Sequence, residues 1–514
     1  MTEIEFKALA AEGYNRIPLL AEHLADLDTP LSIYLKLTEG GSRANSFLLE
    51  SVVGGERFGR YSFIGLPARR MVRSSGDQIE VLLDGKVVEQ HEGDPIDFVR
   101  EYHKRFRPAL RPGLPRFCGG LAGYFGYDLV RFIEPKLGVN DKPNPIGTPD
   151  MQLLLVDELA IVDNLHGKLY LLVYADPSGP EAYGQARRRL RELDARLRRA
   201  VVQPPEDERR EAEASIRRDF DQADYLRAAE RAREYICAGD LMQVQIGQTL
   251  QKPYPHSPLS LYRSLRSVNP SPYMYYYDFG DFHVVGASPE ILVRQEQVPV
   301  TDEDSAAVRD QAVDGQVRKV TIRPLAGTRK RGLSPAQDKA LAEELLADPK
   351  ERAEHLMLID LARNDIGRIA ATGTVRVTDQ MGIEKYSHVQ HIVSNVEGVL
   401  KPGLDAIDVF RASFPAGTLT GAPKVRAMEI ISELEPTRRG LYGGACGYLS
   451  YSGDMDVAIL IRTGVVKDET LYVQAAAGIV YDSVPINEWQ ETESKARALI
   501  RAAELVEEGA SDDF

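Results

Sequence analysis

Cysteine is nearly absent: the 514 residues contain only Cys118, Cys237 and Cys446. Three thiols cannot build a disulfide framework, and their spacing matches no metal knuckle. Reduced thiols suit the cytosol, so a cytoplasmic protein is expected. Long apolar runs are missing too; none approaches the ~20 residues a membrane span needs. The opening MTEIEFKALA is too acidic and polar for a signal peptide. Basic residues are in deficit, 63 Lys and Arg against 77 Asp and Glu, for a formal net charge of −14. That balance argues against a general binder of nucleic acid or anionic membrane, although it leaves room for a local basic pocket. No GxGxxG follows a strand and no Walker loop occurs, so nucleotide binding is not supported. What is present is ordinary globular composition, 43% hydrophobic and 27% charged, long enough to bury a core without staples.

The clearest boundary lies between about 180 and 219. A helix with both charge signs is followed by Pro204-Pro205 and a charged stretch, a linker pattern. It divides the chain into 1–200 and 215–514. The two parts share weak repeats. GGLAGYFGYD (119–128) matches GGACGYLSYS (443–452) as GG-x-x-GY-x-x-Y. Arg73 follows Gly65 by eight residues, as Arg294 follows Gly286. These matches in the same order indicate an ancient duplication. Strand-like runs at 273–285, 289–294, 318–323, 374–379, 443–451, 457–466 and 470–475 alternate with helices. The expected class is α+β: large antiparallel or mixed sheets forming a sandwich flanked by helices, with a duplicated core.

Two helices carry paired carboxylates. In DPKERAEHLMLIDLARND (348–365), Asp348 is a natural N-cap, Pro349 fits N1, and Glu351 sits at N3 as in a capping box. Most of its faces are apolar, the pattern of a buried helix. Glu354 lies on the face of Glu351 one turn on, where burial demands a cation or hydrogen bonds. Pro485 opens a second helix with Glu488, Glu491 and then Lys495. Together these carboxylates suit Mg²⁺, which takes one or two of them plus water and substrate oxygens; Glu351 as a cap and Glu488, Glu491 and Lys495 as a solvated face stand as the plainer reading. The Gly/Thr/Pro loop within 411–431 leads into a helix whose N-terminal amides suit a carboxylate. Cys446 reads as a buried strand cysteine. His388 and His391, three apart among Val and Ile, fall on opposite faces of a strand. That disfavours a metal pair and leaves one histidine as a possible base.

Taken together the segments resemble the chorismate-utilising enzymes, and within them the large subunits of anthranilate synthases. The resemblance rests on LLES (48–51), NPSPYM (269–274), VGASPE (285–290), PLAGT (324–328), EHLMLIDLARND (354–365), GTLTGAPK (417–424), YGGACGY (442–448), AILIRT (458–463), QAAAGIV (474–480) and NEWQETESKA (487–496). It implies that chorismate binds with Mg²⁺, is aminated by ammonia at C2, and then loses pyruvate to give anthranilate for tryptophan biosynthesis. By resemblance Glu354 and Glu491 hold the metal, Glu351 and Glu488 support it directly or through water, and Glu290 is the general acid. His391 serves the elimination. Thr418, Tyr442, Arg462, Gly478 and Lys495, with Gly327 and Thr328, position the substrate.

Two positions discriminate within the resemblance. Related isochorismate and salicylate synthases carry a water-activating Lys where Gln243 stands, which points to ammonia instead. Aminodeoxychorismate synthases commonly carry a nucleophilic Lys in the motif where Ala326 stands. That enzyme remains the alternative, alongside a catalytically silent tryptophan-binding subunit. LLES and NPSPYM resemble a tryptophan feedback site, with Glu50, Ser51, Asn269, Pro270, Tyr273 and Met274 as candidates; this makes 1–200 the regulatory part and 215–514 the catalytic part. No Gly-x-Cys-x-Gly of a glutaminase occurs. Ammonia is therefore expected from solution or from a glutamine amidotransferase subunit, the resemblance implying two large and two small subunits. The charged stretch 296–320 reads as a hairpin insertion.

Overall fold

A computed structural model describes residues 1–51, 59–201, 215–302, 304–386 and 389–509. The linker 202–214 and His388 lie outside the described residues. Two large antiparallel sheets face each other, one of twelve strands and one of eleven. Between them lies an aromatic-rich core that includes Phe47, Phe117, Tyr124, Tyr275 and Tyr448. The helices Pro30–Leu37, Ala182–Leu197, Pro258–Val268 and Pro485–Glu507 pack on the outer face of the larger sheet around a second core. Among the described residues no helix is long and apolar enough to cross a membrane.

The duplication is written in the strand order. The first part supplies five contiguous strands to each sheet and the second part supplies the rest. In the larger sheet the parts meet where Ser46–Glu50 pairs with Tyr273–Asp278; in the smaller, where Gly120–Phe125 pairs with Ala445–Ser450. The repeat makes Gly123 equivalent to Gly447, and these two residues are cross-strand partners. At each, a Cβ would stand 2.1 Å from a neighbouring carbonyl oxygen, Gln152 O or Asp456 O, so only glycine fits. In the other sheet Gly65 is overlaid by the Phe47 ring and Gly286 by the Tyr275 ring. Phe47 and Tyr275 are therefore equivalent, and so are their neighbours Leu48 and Tyr276, which again pair with each other. A pseudo-twofold axis thus runs through both junctions.

The axis also explains where sequence patterning falls short. The apolar run 457–466 is not one strand. It divides into Met455–Ile459 of one sheet and Thr463–Lys467 of the other. The chain crosses the sandwich at Arg462, held at φ +52°. The first part does the same at Asp157, between Met151–Val156 and Glu158–Asp163. Likewise 273–285 is a hairpin, Tyr273–Asp278 and Phe282–Ser288, and the chain crosses again at Pro289-Glu290 before Ile291–Pro299. Stretch 296–320 belongs to a hairpin, Ile291–Pro299 with Gln316–Ile322, as expected.

Candidate active site

Glu290 and Arg462 come from those two crossings, which are tied together by Ile459 N–H donating to Glu290 O at 3.0 Å. Glu290 is buried. Burial pushes its carboxyl up to about 8, against the opposing Thr418 hydroxyl, the Leu325 main chain and the charge of Lys495. Thr418 Oγ1 donates to Glu290 Oε1 at 3.1 Å. The Arg462 guanidinium is held below its usual range by burial. Among the described residues it makes no ion pair, so a half-buried cation faces the site without a partner. Such a group calls for an anion.

His391 lies on Val389–Val393, which pairs with Leu325–Lys330 and Gly382–Lys385. Its Nδ1 is 2.8 Å from Gly327 O and 3.1 Å from Thr328 Oγ1. A carbonyl only accepts, so Nδ1 carries the proton and Nε2 keeps its lone pair. Burial lowers the imidazole to about 4, with Arg462 acting in the same direction; it is neutral at physiological pH. Gly327, at φ +64°, admits this arrangement because a Cβ would lie 3.0 Å from Glu351 Oε2 and from Leu345 Cδ1.

The paired carboxylates occupy the helices Pro349–Ile369 and Pro485–Glu507. Asp348 caps the first, accepting from Lys350 N at 3.0 Å and Glu351 N at 3.4 Å. Glu351 does not close a capping box; it turns to Arg329, 3.2 Å away. The helix runs one turn past residue 365 because Ile366 and Ile369 continue its buried stripe. It is less enclosed than its apolar run suggested, since Leu356 is 46% exposed. Glu354 is raised above the usual carboxylate range, first by burial and then by Glu351 and Glu491. Gln243 Nε2 donates to its Oε1 at 3.2 Å. Glu488 is raised by burial and by Glu491, with Ser483, Lys350 and Lys495 opposing. Lys495 bridges Glu491 at 2.7 Å and donates to Ala476 O at 3.0 Å. Four carboxylates thus gather across two helices. Among the described residues no three acidic, histidine or cysteine side chains suffice to enclose an ion.

Gly478 pairs with Gln245 and lets Gln243 approach: a Cβ would stand 2.7 Å from Gln243 Nε2. Tyr442 is held by Arg439, whose guanidinium lies 5.7 Å from its ring centre. Arg439 pairs with Glu435 at 2.6 Å and donates to Leu419 O and Gln245 O. Sequence reasoning missed this buried Arg439–Glu435 brace, which no motif marks. Lys424, in GTLTGAPK, fixes its loop by donating to Asp365 at 2.9 Å.

A separate cavity of about 560 Å³ lies inside the sandwich, beside the junction of the two parts. Glu50, Ser51, Tyr273 and Met274 line it; Asn269 and Pro270 do not, because they end the helix Pro258–Val268. The Glu50 carboxylate is engaged by Tyr262 at 2.5 Å and Arg266 at 3.1 Å. Unforeseen lining residues are Arg116, Arg294, Tyr448 and Asp456. Of these, Arg294 and Tyr448 carried a repeat signal. Arg294 pairs with Asp456 at 2.9 Å and Tyr273 donates to Asp456 at 3.4 Å, so the cavity offers both charge signs beside an apolar wall.

The chain is 54% identical over 508 residues to anthranilate synthase component 1 of Neisseria meningitidis serogroup A, covering 98% of each. It is 52% identical over 513 residues to that of Pseudomonas aeruginosa, covering 99% of each. Its fold matches the crystal structure of anthranilate synthase component I from Streptococcus pneumoniae, with TM-score 0.71, 34% identity, and 93% of this chain and 98% of that one covered. The fold alone is shared with the menaquinone-specific isochorismate synthase of Escherichia coli, at TM-score 0.68 and 18% identity, covering 97% and 98%. The family model described as chorismate binding enzyme matches residues 67–501, and on this match and these relatives the chain belongs to the chorismate binding enzymes.

Proposed function

We propose that the chain converts chorismate and ammonia to anthranilate and pyruvate, as the large subunit of an anthranilate synthase in tryptophan biosynthesis. The observation that carries this reading is a buried carboxyl, Glu290, bonded to Thr418, and a buried imidazole, His391, bonded through Nδ1 to Gly327 O, with Arg462 free of an ion pair among the described residues. In the first step the ammonia lone pair forms the C–N bond at C2, the ring double bonds shift, and the C4–O bond breaks. A hydroxyl leaves poorly unless protonated; Glu290, kept protonated by burial and oriented by Thr418, supplies that proton so that water departs. In the second step His391 Nε2 takes the proton from C2. The neighbouring C–O bond breaks, its electron pair leaves on the enolpyruvyl oxygen, which is protonated to give pyruvate, and the ring becomes aromatic.

Chorismate is a dianion, so Arg462 and Lys495 provide directional contacts to its carboxylates. Glu354 and Glu491, with Glu351 and Glu488 near them, would hold Mg²⁺, which takes one or two carboxylates and leaves places for water and substrate oxygens. When bound, the ion supplies positive charge that reconciles an anionic substrate with an acidic site. Gln243 and Ala326 favour the reading: neither an amide nor a methyl group can activate water or attack the ring. Tryptophan as feedback inhibitor fits the cavity at the junction, where Arg116, Arg294 and Asp456 face a zwitterion and Tyr448 faces its ring. A glutamine amidotransferase subunit would supply the ammonia. The test is product identity: pure chain with chorismate, Mg²⁺ and ammonium should form fluorescent anthranilate. Formation of salicylate precursors or para-aminobenzoate precursors, or of no product, refutes the assignment.

A further inference from the structure

Among the described residues the imidazole of His391 has one ring neighbour. Tyr386 stands edge-on to it, with ring centres 5.4 Å apart and planes at 64°. Tyr386 is itself 8% exposed, and its charge environment includes Glu290 as well as Glu384 and Arg323. It therefore touches the proposed base while sensing the charge of the proposed acid. Its main chain is fixed by Tyr386 N–H to Val389 O at 2.8 Å and by Arg331 donating to Tyr386 O at 2.5 Å. Its hydroxyl donates to Glu384 Oε2 at 3.0 Å, and Arg323 pairs with Glu384. Glu384 is the cross-strand partner of His391, so ring and anchor ride on the same two strands as the base.

Tyr386 also lines a small gap with Pro272, Tyr273, Pro289, Arg323 and Glu384. The hydroxyl bond to Glu384 sets how far the ring reaches toward His391. The Gly327 and Thr328 contacts hold the Nδ1 edge of the imidazole, and the Tyr386 ring meets the imidazole edge-on. A misplacement of about 1 Å at a reacting centre can cost roughly a hundredfold in rate.

We propose that Tyr386, anchored through Glu384 to Arg323, is the positioning residue that aims His391 Nε2 at the C2 proton, and so governs the pyruvate-releasing step rather than the amination. This rests on the reading of His391 given above. The step it serves balances as written there: Nε2 gains the proton as the ether C–O bond breaks toward oxygen.

The experiment follows chorismate loss, the aminated intermediate and anthranilate separately, using full chain with Mg²⁺ and ammonium. Tyr386→Leu is expected to lower anthranilate formation at least tenfold while chorismate loss falls less than threefold, so that the intermediate accumulates. Tyr386→Phe should retain ring positioning in part and lose less. Glu384→Ala, which keeps the ring and removes its anchor, should release intermediate and guards against a Tyr386→Leu chain that fails to fold. Equal loss of both steps in folded Tyr386→Leu, or wild-type partitioning in both Tyr386→Leu and Glu384→Ala, overturns the proposal. His391→Ala is run alongside. If it forms anthranilate normally, the role given to His391 fails first, and the fault is located there.

Discussion

Replacing Ser51 by phenylalanine tests the regulatory role proposed for the cavity, and the pseudo-twofold axis supplies the expected geometry. Since Leu48 is equivalent to Tyr276, Ser51 is equivalent to Phe279. The Phe279 ring stacks on Tyr277 at 5.5 Å with planes at 2°, and meets Tyr124 at 5.6 Å and Phe282 at 5.0 Å. The equivalents of those three rings are Leu49, Tyr448 and Tyr61, and all three line the cavity. The second part thus fills from within the slot that the first part leaves open. A phenyl group at 51 has the same slot available, and the Ser51 hydroxyl is buried without a hydrogen bond among the described residues, so its loss costs none. The slot would otherwise take the inhibitor's indole. An aromatic ring buries about 150 Å², worth ~4 kcal/mol at about 25 cal/mol per Å², or several hundredfold in Kd on the scale of about 1.4 kcal/mol per tenfold. Calorimetric titration with tryptophan should show that loss, and the inhibition curve should shift by the same factor. The uninhibited rate should stay within about twofold, because a bare ring lacks the charges that Arg116, Arg294 and Asp456 await. Unaltered sensitivity to tryptophan would show that the inhibitor sits elsewhere. Collapse of the uninhibited rate would show that filling the slot is itself the switch.

Three further outcomes are expected. Glu354→Gln should cut anthranilate formation by about a hundredfold or more and weaken the response to Mg²⁺, while thermal melting is unchanged, since the substitution relieves like-charge crowding; full activity would make Glu354 merely structural. With rates referred to free ammonia, kcat should be flat at neutral pH and fall above about pH 8 as Glu290 loses its proton. Glu290→Gln should abolish that limb and lose roughly 10²–10⁴ in rate; a wild-type profile in the variant would remove Glu290 from acid catalysis. Gly478→Ala places a Cβ 2.7 Å from Gln243 Nε2 and 2.9 Å from Gln245 Nε2. The KM for chorismate should rise by about tenfold with little change in fold, and an unchanged KM would place Gly478 outside the site.

Local chemistry made the two carboxylate helices legible. Pro349 and Pro485 open them where expected, and Asp348 caps the first. The duplication was visible as GG-x-x-GY because only glycine tolerates the close approach at Gly123 and Gly447. The strand break at Arg462 was not legible: AILIRT-GVV is apolar throughout, and its division comes from a crossing between sheets that no local pattern encodes. Assignment of Glu290, His391 and Arg462 to one site depended on the family resemblance for the same reason. The cavity wall was read only in part. Arg116 lies far along the chain from Tyr448 and Asp456, which are cross-strand partners in one hairpin, and Asn269 and Pro270 were included because they share a motif with Tyr273, although the helix end turns them away. The Arg439–Glu435 brace behind Tyr442 left no trace in the motifs.

The same axis accounts for why one part alone would carry the proposed chemistry. The eight-residue repeat from Gly65 and Gly286 makes Arg69 the equivalent of Glu290. Strand pairing of Ile64 with Ala160 and of Val285 with Gly464 makes Glu158 the equivalent of Arg462. At both crossings the sign of charge is reversed. In the first part each charge is neutralised internally: Arg69 reaches Asp84 at 2.6 Å and Glu158 reaches Arg189 at 2.7 Å. In the second part Arg462 has no carboxylate among the described residues, and Glu290 has a hydroxyl and a main-chain donor rather than a direct ion pair. A paired charge is already solvated by its partner and gains little from a ligand; an unpaired, desolvated one gains a great deal. The crossings provide two equivalent places to hold an acid and a cation, and only the part that leaves them unneutralised can use them on an anionic substrate.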